Sequence, residues 1–104
     1  AAFGEKMDSK SIATASHKMA KISSKYRVYI DPAIWDGIQK NVLNLEKIDS
    51  RAMSNIVWAF ATVGNKAPAL FDHVAAESMT QMKLFKPQGI SNTLWAYASM
   101  RHSS

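Results

Sequence analysis

The chain has 104 residues, an apolar share of 47%, a charged share of 20% and a formal net charge of +5. That length holds one small domain around one continuous core, and that composition excludes a disordered or fibrous chain. No cysteine is present, which removes disulfides, thiolate metal sites and thiol nucleophiles, and the uncharged run from Ala52 to Asn65 falls short of the roughly twenty apolar residues of a membrane span.

The basic excess favours acidic partners such as nucleic acid or an anionic surface. Lys18, Lys21, Lys25 and Arg27 fall within ten residues. Two readings of that cluster stand: a solvated helix end and loop, or a phosphate-binding patch. The lack of cysteine fits a reducing or organellar interior better than secretion.

In chain order, residues 1–7 read as an N-terminal tail whose Ala-Ala-Phe start, without an initiator Met, suggests a processed end with a transit peptide removed. Residues 8–22 read as an eroded copy of a helix that recurs twice later. His17 then stands where the later copies carry Trp, as a capping substitution in preference to a ligand or base. Ser23 to Ile30 is expected to be a polar, aromatic loop carrying Lys25, Tyr26, Arg27 and Tyr29. Its tyrosines could stack on bases or on a protein partner, or could fold back over the end of the domain.

Asp31-Pro32 opens the next helix, with Asp as N-cap and Pro at the first helical position. Ile34, Trp35, Ile38, Val42 and Leu45 follow at helical spacing. Then comes Met53-Ser54-Asn55-Ile56-Val57-Trp58-Ala59-Phe60-Ala61-Thr62-Val63, which returns thirty-seven residues later as Ile90-Ser91-Asn92-Thr93-Leu94-Trp95-Ala96-Tyr97-Ala98-Ser99-Met100. Between the copies, Gly64 suits a left-handed C-cap, and Pro68 opens a helix to Met82 with an apolar stripe of Leu70, Phe71, Val74, Ala75, Met79 and Met82. Pro32-Ala33-Ile34-Trp35-Asp36 and Pro68-Ala69-Leu70-Phe71-Asp72 correspond, so the repeat includes both helices of a pair. Pro87 starts the last helix.

These elements predict an all-α fold of five helices: a short α-solenoid of about two and a half helix-pair repeats, with a degenerate cap helix at 8–22, repeats at 31–63 and 67–100, one domain over 8–101 and a C-terminal tail at 102–104. Met53, Ile56, Val57 and Phe60 form the packed face of a Trp helix, and Trp58 lies off it by about one hundred degrees. That offset implies a helix covered on more than one side. Trp35, Trp58, Phe60, Phe71, Trp95 and Tyr97 are accordingly expected in the core. Asn55 and Asn92 recur at one helical position; they either hydrogen-bond the preceding link or point outward to read a partner.

Chemistry is expected to be absent. His17, His73 and His102 are far apart and lack metal-site spacing, the four glycines are isolated, and no nucleophile motif occurs. No catalytic residue, metal, cofactor or small-molecule substrate is implied.

Phe85-Lys86-Pro87-Gln88-Gly89-Ile90-Ser91-Asn92-Thr93-Leu94-Trp95-Ala96-Tyr97-Ala98, with Ala67-Pro68-Ala69-Leu70-Phe71 before it, resembles the octotricopeptide helical repeat of algal and protist organelle proteins, related to the repeats of FAST-kinase-like proteins. The resemblance covers residues 31–101 well and 8–22 faintly. It implies an α-solenoid in a chloroplast or mitochondrion, usually binding organellar RNA. Because two repeats and a remnant would meet too few bases to single out a transcript, the first functional expectation is a non-catalytic docking or adaptor subunit of a larger plastid assembly, such as a photosynthetic complex or ribosome. The alternative is an organellar RNA-binding module. Under either reading the candidate partner-binding residues are Lys18, Lys21, Lys25, Tyr26, Arg27, Tyr29, Asn55 and Asn92.

Overall fold

Residues 8–45 and 48–100 are described by the computed structural model, in which five α-helices and no strand occur among the described residues. They are α1 (Ser9–Tyr26), α2 (Pro32–Leu43), α3 (Ser50–Thr62), α4 (Pro68–Met79) and α5 (Pro87–Met100), with a 3-10 turn at Met82–Leu84. The two expected tails lie outside the described residues.

The helix ends follow from the punctuation. Asp8, Asp31 and Asp49 are N-caps whose carboxylates accept from the backbone N–H groups of Ser11 at 2.7 Å, Ala33 at 2.9 Å and Ala52 at 2.8 Å. Each satisfies a donor that the first turn leaves without an intrahelical acceptor. At the end of α3, Gly64 adopts φ 75°, its N–H donates to Ala61 O, and the Asn65 N–H reaches back to Phe60 O at 2.9 Å. That pair of bonds is a Schellman closure, which needs the left-handed residue that glycine supplies without steric cost. Arg27 ends α1 with φ 54°, likewise left-handed.

Three helices form one layer. α3 lies between α1 and α5 and packs along both, while α2 and α4 lie side by side as a second layer beneath. The core sits between the layers: Ile38 and Val42 of α2, Met53, Ile56, Val57 and Phe60 of α3, and Leu70, Phe71 and Val74 of α4 are all buried. One aromatic contact occurs in each repeat. Trp35 meets Phe60 edge to face at 5.1 Å, and Phe71 meets Tyr97 edge to face at 5.0 Å, so the two pairs are structural equivalents as well as sequence equivalents. Tyr97 also donates its hydroxyl to Phe71 O, and burial, then the Asp72 charge, pushes the phenol up to about 12.

Several expectations change. α1 runs four residues beyond the expected end, so Lys25 and Tyr26 belong to its last turn and not to a loop. α4 stops at Met79, where the Thr80 hydroxyl and N–H turn back onto Glu77 O, and Met79 and Met82 are exposed instead of completing a buried stripe. Trp35, Phe60 and Phe71 are buried. Trp58 and Tyr97 are only partly buried, and Trp95 is 47% exposed, which corrects its assignment to the core. The physical reason is angular: Trp58 lies nearly opposite the packed face of its helix, further round than the offset of about one hundred degrees expected, and Trp95 shares that orientation on a helix with one fewer neighbour.

Candidate nucleic-acid interface

At 100° per residue, Arg51, Asn55, Trp58 and Thr62 fall within about 40° of one line along α3. Met53, Ile56, Val57 and Phe60 point the opposite way, into the core. Of the two flanks between, the one carrying Ser54 and Ala61 meets α5. The Ser54 hydroxyl lies 3.1 Å from both Gly89 O and Thr93 Oγ1, and a Cβ on Gly89 would stand only 3.1 Å from that same oxygen. Small residues thus bring the two helices close and fix their register. Ala52 and Ala59, buried on the other flank, leave the same closeness for α1.

With the register fixed, each helix of the layer presents equivalent positions outward. α1 contributes Lys10, Thr14, His17 and Lys21; α3 contributes Arg51, Asn55, Trp58 and Thr62; α5 contributes Gln88, Asn92, Trp95 and Ser99. None of these is buried. Read across the layer, they form four rows: Lys-Arg-Gln, Thr-Asn-Asn, His-Trp-Trp and Lys-Thr-Ser. The His17 ring lies 4.7 Å from the Trp58 ring, which shows that the aromatic row is a spatial neighbourhood on α1 and α3.

The chemistry of the face is uniform. It carries three cations and no carboxylate, and none of Lys10, Lys21 and Arg51 is in an ion pair among the described residues. Asn55 and Asn92 are half-buried and make no side-chain hydrogen bond among the described residues, so both amides keep their donors and acceptors. Of the two alternatives expected for them, a bond to the preceding link does not occur among the described residues; Ser54 supplies the polar tie between helices. Burial, with a smaller contribution from the Lys21 charge, holds His17 below its ordinary value, so at neutral pH its ring is an uncharged plate. Trp95 is the open aromatic surface of the row.

The other expected site residues divide. Lys21, Asn55 and Asn92 lie on this face, and Lys18 is exposed on the outer flank of α1. Lys25 holds its ammonium 5.3 Å from the Tyr26 ring. Arg27 and Tyr29 line a concavity of about 510 Å³ with Trp35, Val63 and Asn65, at the C-terminal ends of α1 and α3. Tyr26 and Tyr29 are both exposed. The basic cluster is thus split between two places, and the aromatic row was missed as a surface. The angle between Trp58 and the apolar stripe was the signal that could have found it.

Among the described residues, no group of three or more His, Cys, Asp or Glu could hold a metal ion, and no helix is long and apolar enough to cross a membrane.

No family model matches the chain, and no solved structure matches it. The chain is similar to a chloroplastic RAP domain-containing protein of Oryza sativa subsp. japonica, with 32% identity over 62 residues that make up 58% of this chain and 10% of that protein. The chain therefore spans about a tenth of the length of the curated relative it matches.

Proposed function

We propose that the chain is a non-catalytic RNA-binding module of a chloroplast, taking single-stranded RNA across the outward face of α1, α3 and α5. The observation that carries this reading is the half-exposed Trp95 indole in a row with Trp58 and His17, flanked by cations and amides that have no ion-pair or hydrogen-bond partner among the described residues. Single-stranded nucleic acid is held by that combination: aromatic plates for bases, and a basic track for phosphates. Unstacked bases also expose edges that a carboxamide can meet with a donor and an acceptor together.

The similarity to a chloroplastic RAP domain-containing protein supports an organellar, RNA-binding role over a docking subunit. This reverses the order expected from the sequence, where the docking subunit came first because two helical repeats seemed too few for specificity. A short face need not select a transcript alone. It can add affinity to other RNA-contacting segments, since linked sites multiply their effects.

The test is a titration of a single-stranded RNA of about ten nucleotides against the chain at several salt concentrations. Binding should weaken steeply with salt, and Arg51→Gln should reduce the slope of log affinity against log salt by about 0.7, the share of one phosphate contact on a single strand. An affinity indifferent to salt, or unchanged in Arg51→Gln, would overturn the proposal.

A further inference from the structure

Asp8 and Asp49 cap α1 and α3 at equivalent positions, and the His17–Trp58 contact shows the two helices in register, yet α1 has 18 residues and α3 has 13. The five further residues, at about 1.5 Å each, carry α1 about 7 Å past the end of α3. The chain then returns through residues 27–31 to Pro32. The concavity of about 510 Å³ lies between this overhang, the link and the end of α3, and its volume falls within the roughly 300 to 1,000 Å³ of small-molecule sites.

Its two sides differ in chemistry. Ile30, Trp35 and Val63, all at least partly buried, make an apolar wall, while Arg27 and Tyr29, both exposed, and the half-buried Asn65 make a polar one. The Arg27 guanidinium and the Asn65 carboxamide have no ion-pair or hydrogen-bond partner among the described residues. No carboxylate lines the concavity, and that of Asp31, next in the link, accepts from the Ala33 N–H at 2.9 Å. Arg27 also holds a left-handed conformation, φ 54°, at a helix end where α3 is followed by Gly64 at φ 75°. A side chain costs energy in that conformation and glycine does not, so arginine is not the residue that the turn itself asks for. The Ser23 hydroxyl, donating to Val28 O at 2.8 Å, ties the turn back onto the overhang.

The concavity also continues the RNA face. Lys21 and Thr62, in the last row of that face, stand at the same end of α1 and α3; Lys25 follows Lys21 one turn further along α1, and Val63 follows Thr62 into the concavity. Lys21, Lys25 and Arg27 thus form a line of cations from the outward face to the concavity. An apolar wall, a free aromatic plate, a free amide and one cation suit a flat heterocycle that carries an anion. We propose, resting on the RNA-binding reading above, that the concavity is a nucleotide subsite. It takes one unstacked nucleotide of the strand that crosses the outward face, with the base between the apolar wall and Tyr29, its edge toward Asn65, and the phosphate on Arg27.

The test adds a single-stranded RNA of about ten nucleotides to the intact chain, follows the side-chain amide signals of Asn65 and the indole signal of Trp95 together by two-dimensional NMR, and measures affinity in Arg27→Gln and Tyr29→Ala. Both substituted residues are exposed, so both variants should melt like the parent. Asn65 should shift along with Trp95. Arg27→Gln should weaken binding about fivefold and reduce the slope of log affinity against log salt by about 0.7. Tyr29→Ala should weaken binding about tenfold and leave the slope unchanged. RNA that shifts Trp95 but leaves Asn65 unmoved, or that binds either variant as tightly as the parent, overturns the nucleotide subsite while the RNA face stands. A chain that binds no RNA at all removes both.

Discussion

The His17 imidazole lies 4.7 Å from the Trp58 indole, centre to centre, with the two planes inclined by 36°. The contact joins α1 to α3 within one layer, at the helical position that carries Trp95 on α5. It accounts for the small polar ring at the start of the chain as one member of a row of outward plates, and not as an isolated base.

This contact gives His17 a titration signature. Burial, and then the nearby Lys21 charge, lower its value from 6.5, so protonation is favoured more in the unfolded chain than in the folded one. Stability linked to the neutral ring is whole above about pH 6.5 and is lost as pH falls through the lower folded value. Thermal melts of His17→Phe should therefore show a smaller drop between pH 7 and pH 5 than those of the parent chain. Equal drops would mean that the ring titrates freely in water.

The three tryptophans should separate stability from binding. Trp35 is 4% exposed and meets Phe60, so Trp35→Ala should cost about 3 to 5 kcal/mol and unfold much of so small a domain. Trp95→Ala should cost about 1 kcal/mol of stability and weaken RNA by about 1 to 3 kcal/mol, the range for one base on one aromatic plate. Denaturant melts and RNA titrations of the two variants read the difference.

The Ser54 oxygen is wedged between Gly89 and Thr93, so the α3–α5 register depends on a small residue there. Ser54→Ala should be mild, about 1 kcal/mol, because Thr93 keeps its own bond to Gly89 O at 2.8 Å. Ser54→Leu should cost about 1 to 3 kcal/mol or more by forcing the helices apart. Urea titration of both variants provides the comparison.

On α4, His73 carries a buried Nε2 without a hydrogen-bond partner among the described residues. An orphaned buried polar atom lowers stability by about 1 to 3 kcal/mol relative to a satisfied one. His73→Leu should therefore raise the melting temperature, and a lower melting temperature would show that the ring is used in a way its neighbours do not reveal.

Much of the architecture could be read from the residues. Asp31 and Pro32 announced a helix start, Gly64 announced a helix end, and the Trp-helix motif announced equivalent helices; all three signals act within a few residues of where they stand. Which face of a Trp helix meets solvent was less accessible. Burial of Trp58 was inferred by taking its helix to be covered on more than one side, yet what its side chain meets depends on where α1, α2, α4 and α5 surround α3, and that arrangement is tertiary. The same holds for Lys10, Arg51 and Gln88, which are far apart in sequence and were not read as a set. They become a row only when three helices are laid in register.

The most direct test of the RNA face uses the indole N–H signals of the three tryptophans, recorded by two-dimensional NMR as single-stranded RNA is added to the chain. Trp95 should shift most and Trp58 next, while Trp35, enclosed between the layers, should stay in place. Saturating RNA that leaves Trp95 and Trp58 unmoved, or that shifts Trp35 as much as either, would contradict the account.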